Sequence, residues 1–264
     1  MVKRCLIDSD ILAYELGFAS EASWKYSHPE ASFEWLIDNP PPFDVAEEQL
    51  LFKIAHIEET CGATEPSLFF FTGATNFRNE IAKTQKYKAR PSHKPYHYKN
   101  IKAYIKGIYP FREMEGLEAD DLLAMFQSDE TIICSRDKDL RQVAGWHFGW
   151  ELNLQPQFGP YFVDGYGHIE LDSKKKLRGW GPKFFLAQCI TGDTVDSIPG
   201  LPNKGPKKAL EALDGTSTYA EGLEAVREAY KPFGGDDYLL EQGRLLHMTR
   251  ELHEDGSPVL WEIE

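Results

Sequence analysis

Residues 131–139 read TIICSRDKD. The run from Thr131 to Cys134 is apolar or β-branched. It stops on Ser135, with Asp137 and Asp139 just beyond. Such a run is too short for a helix, and its unbroken apolar character is that of a strand covered on both faces. Two other stretches share this form. CLID (5–8) ends on Asp8, and SLFFFTG (67–73) ends near Thr72 and Gly73. Helical patterns lie between them. AEEQLLFKIAHIEETCG (46–62) sets charges on one side, apolar residues on the other, and stops on Gly62. EADDLLAMF (118–126) is a second such pattern. Alternating strand and helix predicts an α/β fold, a mostly parallel central sheet with helices on both faces. Sites in such sheets form beyond the carboxyl ends of the strands. Two of the three strand ends here carry Asp.

Outward from this core the pattern changes twice. Residues 17–44, with Trp24, Trp35 and the Pro40-Pro41-Pro42 stop, read as an irregular insertion after the first strand. From about residue 180 the chain reads as all-α: PKFFLAQCITGD (182–193) is helical, and IPGLPNKGPKKALEAL (198–213) is a turn, then a helix. The expected division is a core over 1–179 and a helical lobe over 180–264. The last fifty residues offer no functional signal.

The chain has 264 residues and a formal net charge of −13. That charge by itself argues against a nucleic-acid partner, since phosphates reward a positive surface. The sign is unevenly spread, however. Lys83 to Lys106 contains eight basic residues, no acidic one, and Tyr87, Tyr96, Tyr98 and Tyr104. Basic side chains interleaved with tyrosines suit a groove that tracks a phosphate backbone and stacks bases. Lys88, Arg90 and Lys94 lie centrally in it. No window has the ~20 apolar residues of a membrane span. The MVKRCLIDSD start breaks too early to be a signal peptide. Cys5, Cys61, Cys134 and Cys189 form no CxxC pair and read as reduced thiols of a cytoplasmic protein.

The carboxylates fall into four clusters: Asp8 with Asp10; Glu118, Asp120 and Asp121; Asp137 and Asp139; Asp193 and Asp196. Each has an ordinary explanation, since acidic residues favour helix first turns and caps. Their joint placement after strands and at helix starts is what needs another. Ionised carboxylates crowd together only if some are protonated or cations sit among them. Oxygen donors without His or Cys favour Mg²⁺ or Mn²⁺. Two such ions about 3.5–4 Å apart would clamp a phosphodiester during in-line displacement. In IPGLPNKGPKKA, Gly200 and Gly205 flank a turn, Pro206 opens a helix, and Lys204, Lys207 and Lys208 add charge, a combination suited to phosphate. A plain packing corner would look similar.

These motifs together resemble the structure-specific 5′-nucleases: flap endonucleases, the 5′-nuclease domains of bacterial DNA polymerase I, and phage 5′→3′ exonucleases, the last being nearest. The resemblance runs to about residue 211. It rests on LIDSD, FRNEIAKTQKYKARP, LEADDLLA, SRDKDLRQ and GDTVDSIPGLPNKGPKKA in that order. It implies a PIN-like nuclease fold and a Mg²⁺-dependent enzyme that hydrolyses DNA at 5′ ends, nicks or 5′ flaps in replication and primer removal. Asp8, Glu118, Asp120, Asp121, Asp137, Asp139, Asp193 and Asp196 would hold two divalent ions. Arg78 and Lys88 would reach the scissile phosphate from a basic arch or clamp over 77–106, with Tyr87 beside that Lys. Residues 183–211 would form a helix–three-turn–helix that grips duplex DNA, where relatives can also bind K⁺. A monomer, in the host cytoplasm if phage-encoded, is expected.

Three departures from the family pattern stand out. Relatives carry an Asp at the second strand's end, where this chain has Thr72 and Gly73. The alternative reading, a weakly active or inactive structure-specific DNA-binding homologue, follows from that gap and expects Gly73→Asp to raise cleavage. Arg90 follows Lys88 by two positions rather than three. Asn203 and Lys204 replace a Gly and an aliphatic residue. A ribonuclease of the related acidic-site nucleases is a third possibility that the helix–three-turn–helix disfavours.

Overall fold

The computed structural model describes residues 2–89, 93–153 and 155–263, apart from the Phe33 side chain. Strand β1 (Arg4–Asp8) runs into helix α1 (Ser9–Ser27), then α2 (Phe33–Asp38) and α3 (Phe43–Cys61) lead to β2 (Leu68–Thr72). A single turn, α4 (Arg78–Ile81), precedes α5 (Tyr98–Ile108) and β3 (Phe111–Met114). Helix α6 (Ala119–Phe126), β4 (Thr131–Cys134), β5 (Gly145–Gly149) and β6 (Phe158–Val163) complete the sheet. Its order is β3-β2-β1-β4-β5-β6, parallel except for the β5–β6 pair. The chain lays down β2 and β3 on one side of β1, then crosses to place β4 on the other. The sheet's switch point therefore lies between β1 and β4, where a crevice opens at the carboxyl ends.

Successive strand side chains point to opposite faces, and both faces here are covered. Cys5, Ile7, Phe69, Phe71, Ile132 and Cys134 pack with Leu12 and Leu16 of α1, Leu50 and Ile54 of α3, and Ile101 and Ile105 of α5. Leu6, Leu68, Phe70 and Ile133 pack on the other face with Leu122 and Leu123 of α6. That is why these strands read as unbroken apolar runs. Each fully buried Phe of β2 contributes about 2–3 kcal/mol.

A two-stranded hairpin follows, β7 (His168–Leu171) with β8 (Leu177–Trp180). Helices α7 (Pro182–Thr191), α8 (Pro206–Ala212), α9 (Tyr219–Tyr230) and α10 (Gly235–Leu246) enclose a separate apolar cluster that includes Phe185, Leu186, Ile190, Leu223, Val226 and Leu239. Within 183–211 the described geometry is a helix, an irregular turn and a seven-residue helix.

The expected irregular insertion over 17–44 is largely helical instead. The Asp8 carboxylate accepts the Ile11 N–H and starts α1, which continues to Ser27. Leu12, Ala13 and Leu16 bury one face of it. Beyond, the Trp24 indole donates to the Asn39 carbonyl and its ring packs on His28 and Trp35. The aromatic residues that looked like loop content therefore join α1 to α2. No long helical arch is present among the described residues of 77–106, which form α4, an irregular stretch and α5.

Candidate active site

Four chain segments bring their carboxylates to the switch-point crevice. Asp8 ends β1 and is 2% exposed. Ser135, at the end of β4, donates its hydroxyl to Asp8 at 2.7 Å. Beyond it the chain turns so that Ser135 Oγ accepts from the Asp137 N–H and Asp137 accepts from the Asp139 N–H. Glu118 and Asp121 close a capping box at the start of α6, which fixes Asp120 between them. Asp193 accepts the N–H groups of Val195 and Asp196 in the turn after α7. These Asx-type turns are local, so the sequence encodes them where they stand.

The electrostatics are those of unneutralised crowding. Burial, then repulsion from Asp137, Asp8 and Glu118, pushes the Asp120 carboxyl well above the usual range. Burial raises Asp137, with Asp8 and Asp196 adding to it. Asp8 is pushed up to about 6 by burial and Asp10, and Asp139 to about 6 by burial and Asp137. Asp196 also rises to about 6, through burial and then Glu118, Asp139 and Asp193 against the opposing Lys88. Two members go the other way. Burial works to raise Glu118, but Arg78 and Lys88 hold it below the ordinary value. Lys138 does the same for Asp193. An all-oxygen set that carries this much uncompensated charge fits hard divalent cations. Among the described residues no three carboxylates have donor atoms all within 4.8 Å of one another. The donors are spread beyond one ion's reach rather than gathered into a closed single-ion cage.

Lys88 sits at its rim. Its side chain is 45% exposed, and its ammonium bonds Glu118 and lies 3.8 Å from Asp196. Lys88 takes the left-handed φ of +45°, unusual for a side chain of this size. The bond from its N–H to the Asp196 carbonyl at 2.9 Å and from Ala89 N–H to Ser197 Oγ hold it there. Strain of this kind, held by surrounding bonds, is typical of functional positions. Tyr87 is buried, its phenol donating to Glu118 at 2.7 Å, with Asp196 at 3.3 Å. It is part of the acidic wall rather than a stacking platform, and Tyr98 is likewise turned inward, donating to Asp10. Of the four tyrosines only Tyr96 is largely exposed, at 57%.

Arg78 and Asp121 are placed differently from expectation. Arg78 is 1% exposed. Its guanidinium forks onto both Asp121 oxygens at 2.7 and 2.8 Å, meets Glu118 at 3.3 Å, and donates to the Leu245 and His247 carbonyls. The Thr249 N–H also donates to Asp121. Asp121 is thus spent inside the protein, and Arg78 does not reach the open crevice. Both tie the segment after α10 to the start of α6, a role that the sequence of the last fifty residues did not signal.

The end of β2 lacks a carboxylate of its own, as the sequence indicates. Asp10 of α1 reaches it instead. One Asp10 oxygen accepts the Thr72 N–H at 2.8 Å, and the other accepts from Tyr98 and Lys102. Thr72 Oγ1 accepts the Ala119 N–H. Sequence reasoning also missed Lys138, which pairs with Asp139 and Asp193, and Gln188, which donates to Asp139. Each partner is distant in sequence or looks like an ordinary polar residue.

In the turn before α8, Gly200 and Gly192 approach so closely that a Cβ on Gly200 would lie 2.3 Å from the Gly192 nitrogen. The Gly200 N–H donates to buried Gln242, so it is not free for a phosphate. Gly205 caps α8 and is exposed with Lys207 and Lys208, while Lys204 is half-buried. Lys94 is exposed, its ammonium 4.7 Å from the Tyr98 ring. Arg90 lies outside the described residues.

The 5′-exonuclease of bacteriophage T5, solved with zinc, superposes with a TM-score of 0.54 and 17% identity, over 92% of this chain and 86% of that one. The flap endonuclease of bacteriophage T5, solved with DNA and metal ions, gives 0.53 and 16% over 92% and 86%. The fold is that of the structure-specific 5′-nucleases. Sequence similarity points the same way. The flap endonuclease Xni of Shewanella halifaxensis is 33% identical over 103 residues, 36% of this chain and 37% of that protein. DNA polymerase I of Rhizobium leguminosarum is 33% identical over 115 residues, 40% of this chain and 10% of the polymerase. The chain thus spans about a tenth of that polymerase and just over a third of Xni. No family model matches. Among the described residues no helix of this 5′-nuclease fold is long and apolar enough to cross a membrane.

Proposed function

We propose that the protein is a divalent-metal-dependent 5′-nuclease that hydrolyses DNA phosphodiester bonds at 5′ ends or 5′ flaps, acting as a monomer in cytoplasmic DNA replication and primer removal. One observation carries this reading: Asp8, Glu118, Asp120, Asp137, Asp139, Asp193 and Asp196 converge from four segments on one crevice, with Lys88 at its rim. The T5 enzymes, solved with zinc and with DNA and metal ions, share the overall fold, which supports this reading.

Asp8, Asp120 and Asp137 would hold one Mg²⁺ or Mn²⁺ ion, and Asp139, Asp193 and Asp196 a second, with Glu118 beside the first. When bound, the ions supply Lewis acidity and a more acidic water. The chain's own residues do the rest. Lys88 stays protonated, since Glu118 and Asp196 outweigh the burial that opposes its charge. Its ammonium is placed to meet negative charge developing on the phosphate. Tyr87 and Lys88 hold Glu118 in position, and Ser135 orients Asp8. Lys94, Lys204, Lys207 and Lys208 are proposed to meet the DNA backbone, and the turn between α7 and α8 is where a K⁺ ion would sit. Arg78 is proposed to position α6 rather than to touch the phosphate.

The test is cleavage of a 5′-labelled flap duplex with Mg²⁺, beside an RNA strand of the same geometry. Loss of product with EDTA and in Asp137→Asn is expected. Lys88→Ala should lower turnover with little change in DNA binding. Cleavage indifferent to EDTA and to Asp137→Asn would sink the reading.

A further inference from the structure

On the sheet face covered by α3, away from α6, three cysteines from separate segments meet. Cys5 lies in β1, Cys134 ends β4, and Cys61 is the last residue of α3. Their sulfurs all lie within 4.8 Å of one another, and Cys61 Sγ is 3.9 Å from Cys134 Sγ. A thiolate–zinc bond of about 2.3 Å in a trigonal arrangement puts sulfurs about 4.0 Å apart. The Cys61–Cys134 pair has that spacing, and the other two pairs lie within 4.8 Å. Cys5 and Cys134 are 0% exposed, while Cys61 is partly accessible and opens the cluster to solvent next to Gly62. Scattered core cysteines are ordinary small apolar side chains. Cys189, buried alone in the helical lobe, is one of those.

We propose that Cys5, Cys61 and Cys134 form a binding site for a thiophilic d¹⁰ cation of the Zn²⁺ class, separate from the carboxylate crevice. Soft sulfur donors select such ions where oxygen donors select Mg²⁺. Binding replaces three S–H protons with three metal–sulfur bonds and releases those protons to solvent, so affinity rises with pH.

The probe is Cd²⁺, titrated into the reduced full chain with excess Mg²⁺ to occupy the carboxylates. The readout is the near-ultraviolet thiolate-to-cadmium charge-transfer band, which carboxylate-bound cadmium does not give. The expected result is a band that saturates at one equivalent. Cys61→Ser should cut its intensity by about a third and weaken binding by roughly tenfold or more, as loss of a ligand exceeds loss of its supporting contacts. Cys61→Ala serves equally if the serine variant is unstable, because this position is only partly buried. Cys189→Ser should leave the band unchanged. Absence of the band at one equivalent, or a band whose intensity and midpoint are unchanged in both Cys61 variants, overturns the site. Neither outcome bears on nuclease activity.

Discussion

At Gly73 the chain leaving β2 passes directly against the end of β3. A Cβ there would lie 2.1 Å from the Met114 carbonyl oxygen and 2.9 Å from its carbon. Both are backbone atoms and cannot swing aside. The missing Asp is therefore not a vacancy that one substitution refills. Gly73→Asp should cost at least about 1–3 kcal/mol, seen as a lower unfolding midpoint, with no gain in cleavage; a stable, faster variant would contradict this. Asp120 makes the opposite kind of prediction. Its carboxyl is raised by burial and by its acidic neighbours, so its charged form opposes folding at neutral pH. Asp120→Asn should raise the melting temperature of the EDTA-treated protein at pH 7 and shrink the further rise that Mg²⁺ produces. A fall in the metal-free melting temperature would show that Asp120 is not under repulsive strain.

At the scale of elements, α6 is the pivot. Its start was legible from acidic residues ahead of an apolar helical run, and the structure adds that Glu118 and Asp121 close a capping box there. What the spacing could not show is which carboxylates face the crevice. Asp121 faces inward because Arg78 arrives from α4 and the 245–249 segment arrives from the chain's end. Arg78→Met leaves Asp121 buried without its counter-charge, a loss on the order of 3–5 kcal/mol. Arg78→Lys should recover little, since an ammonium cannot reproduce the fork. Denaturant unfolding of the two variants measures this. If Arg78 instead met the phosphate, both would keep wild-type stability and lose only cleavage. The α1 helix teaches the same lesson in reverse. Its aromatic C-terminal half has no clean periodicity, because Trp24 packs on His28 and Trp35 across a turn rather than along one helical face.

For the whole molecule, a histidine buried in the sheet gives a pH signature. His147 of β5 is 3% exposed and donates through Nε2 to the Val143 carbonyl. Burial lowers it to about 4, against 6.5 for an ordinary His. Above pH 6.5 it is neutral whether folded or unfolded, so it contributes nothing to the pH dependence there. Between 6.5 and 4 the unfolded chain takes up a proton that the folded one refuses, and stability is lost, up to about 3 kcal/mol. The raised carboxylates act in the opposite sense over the same range, since their protonation relieves the folded state. The measurement is therefore a difference: the stability of wild type minus that of His147→Gln, in EDTA, should fall steadily from pH 6.5 to 4. A difference that stays level would show that His147 titrates normally.

The sequence by itself determined the sheet core, because three short apolar runs bounded by helical patterns leave few other ways to bury their side chains. It also determined the sites of the four acidic clusters, since each is a local turn or cap encoded within a few residues. Only the tertiary structure decided how those clusters divide the work. Asp10 reaches the end of β2, Lys138 and Lys88 neutralise some carboxylates and not others, Arg78 withdraws Asp121, and three unrelated cysteines meet under α3. Each depends on contacts between residues far apart in the chain, where a side chain's partner is set by sheet order and helix packing. Neither is written in the spacing of residues along one segment.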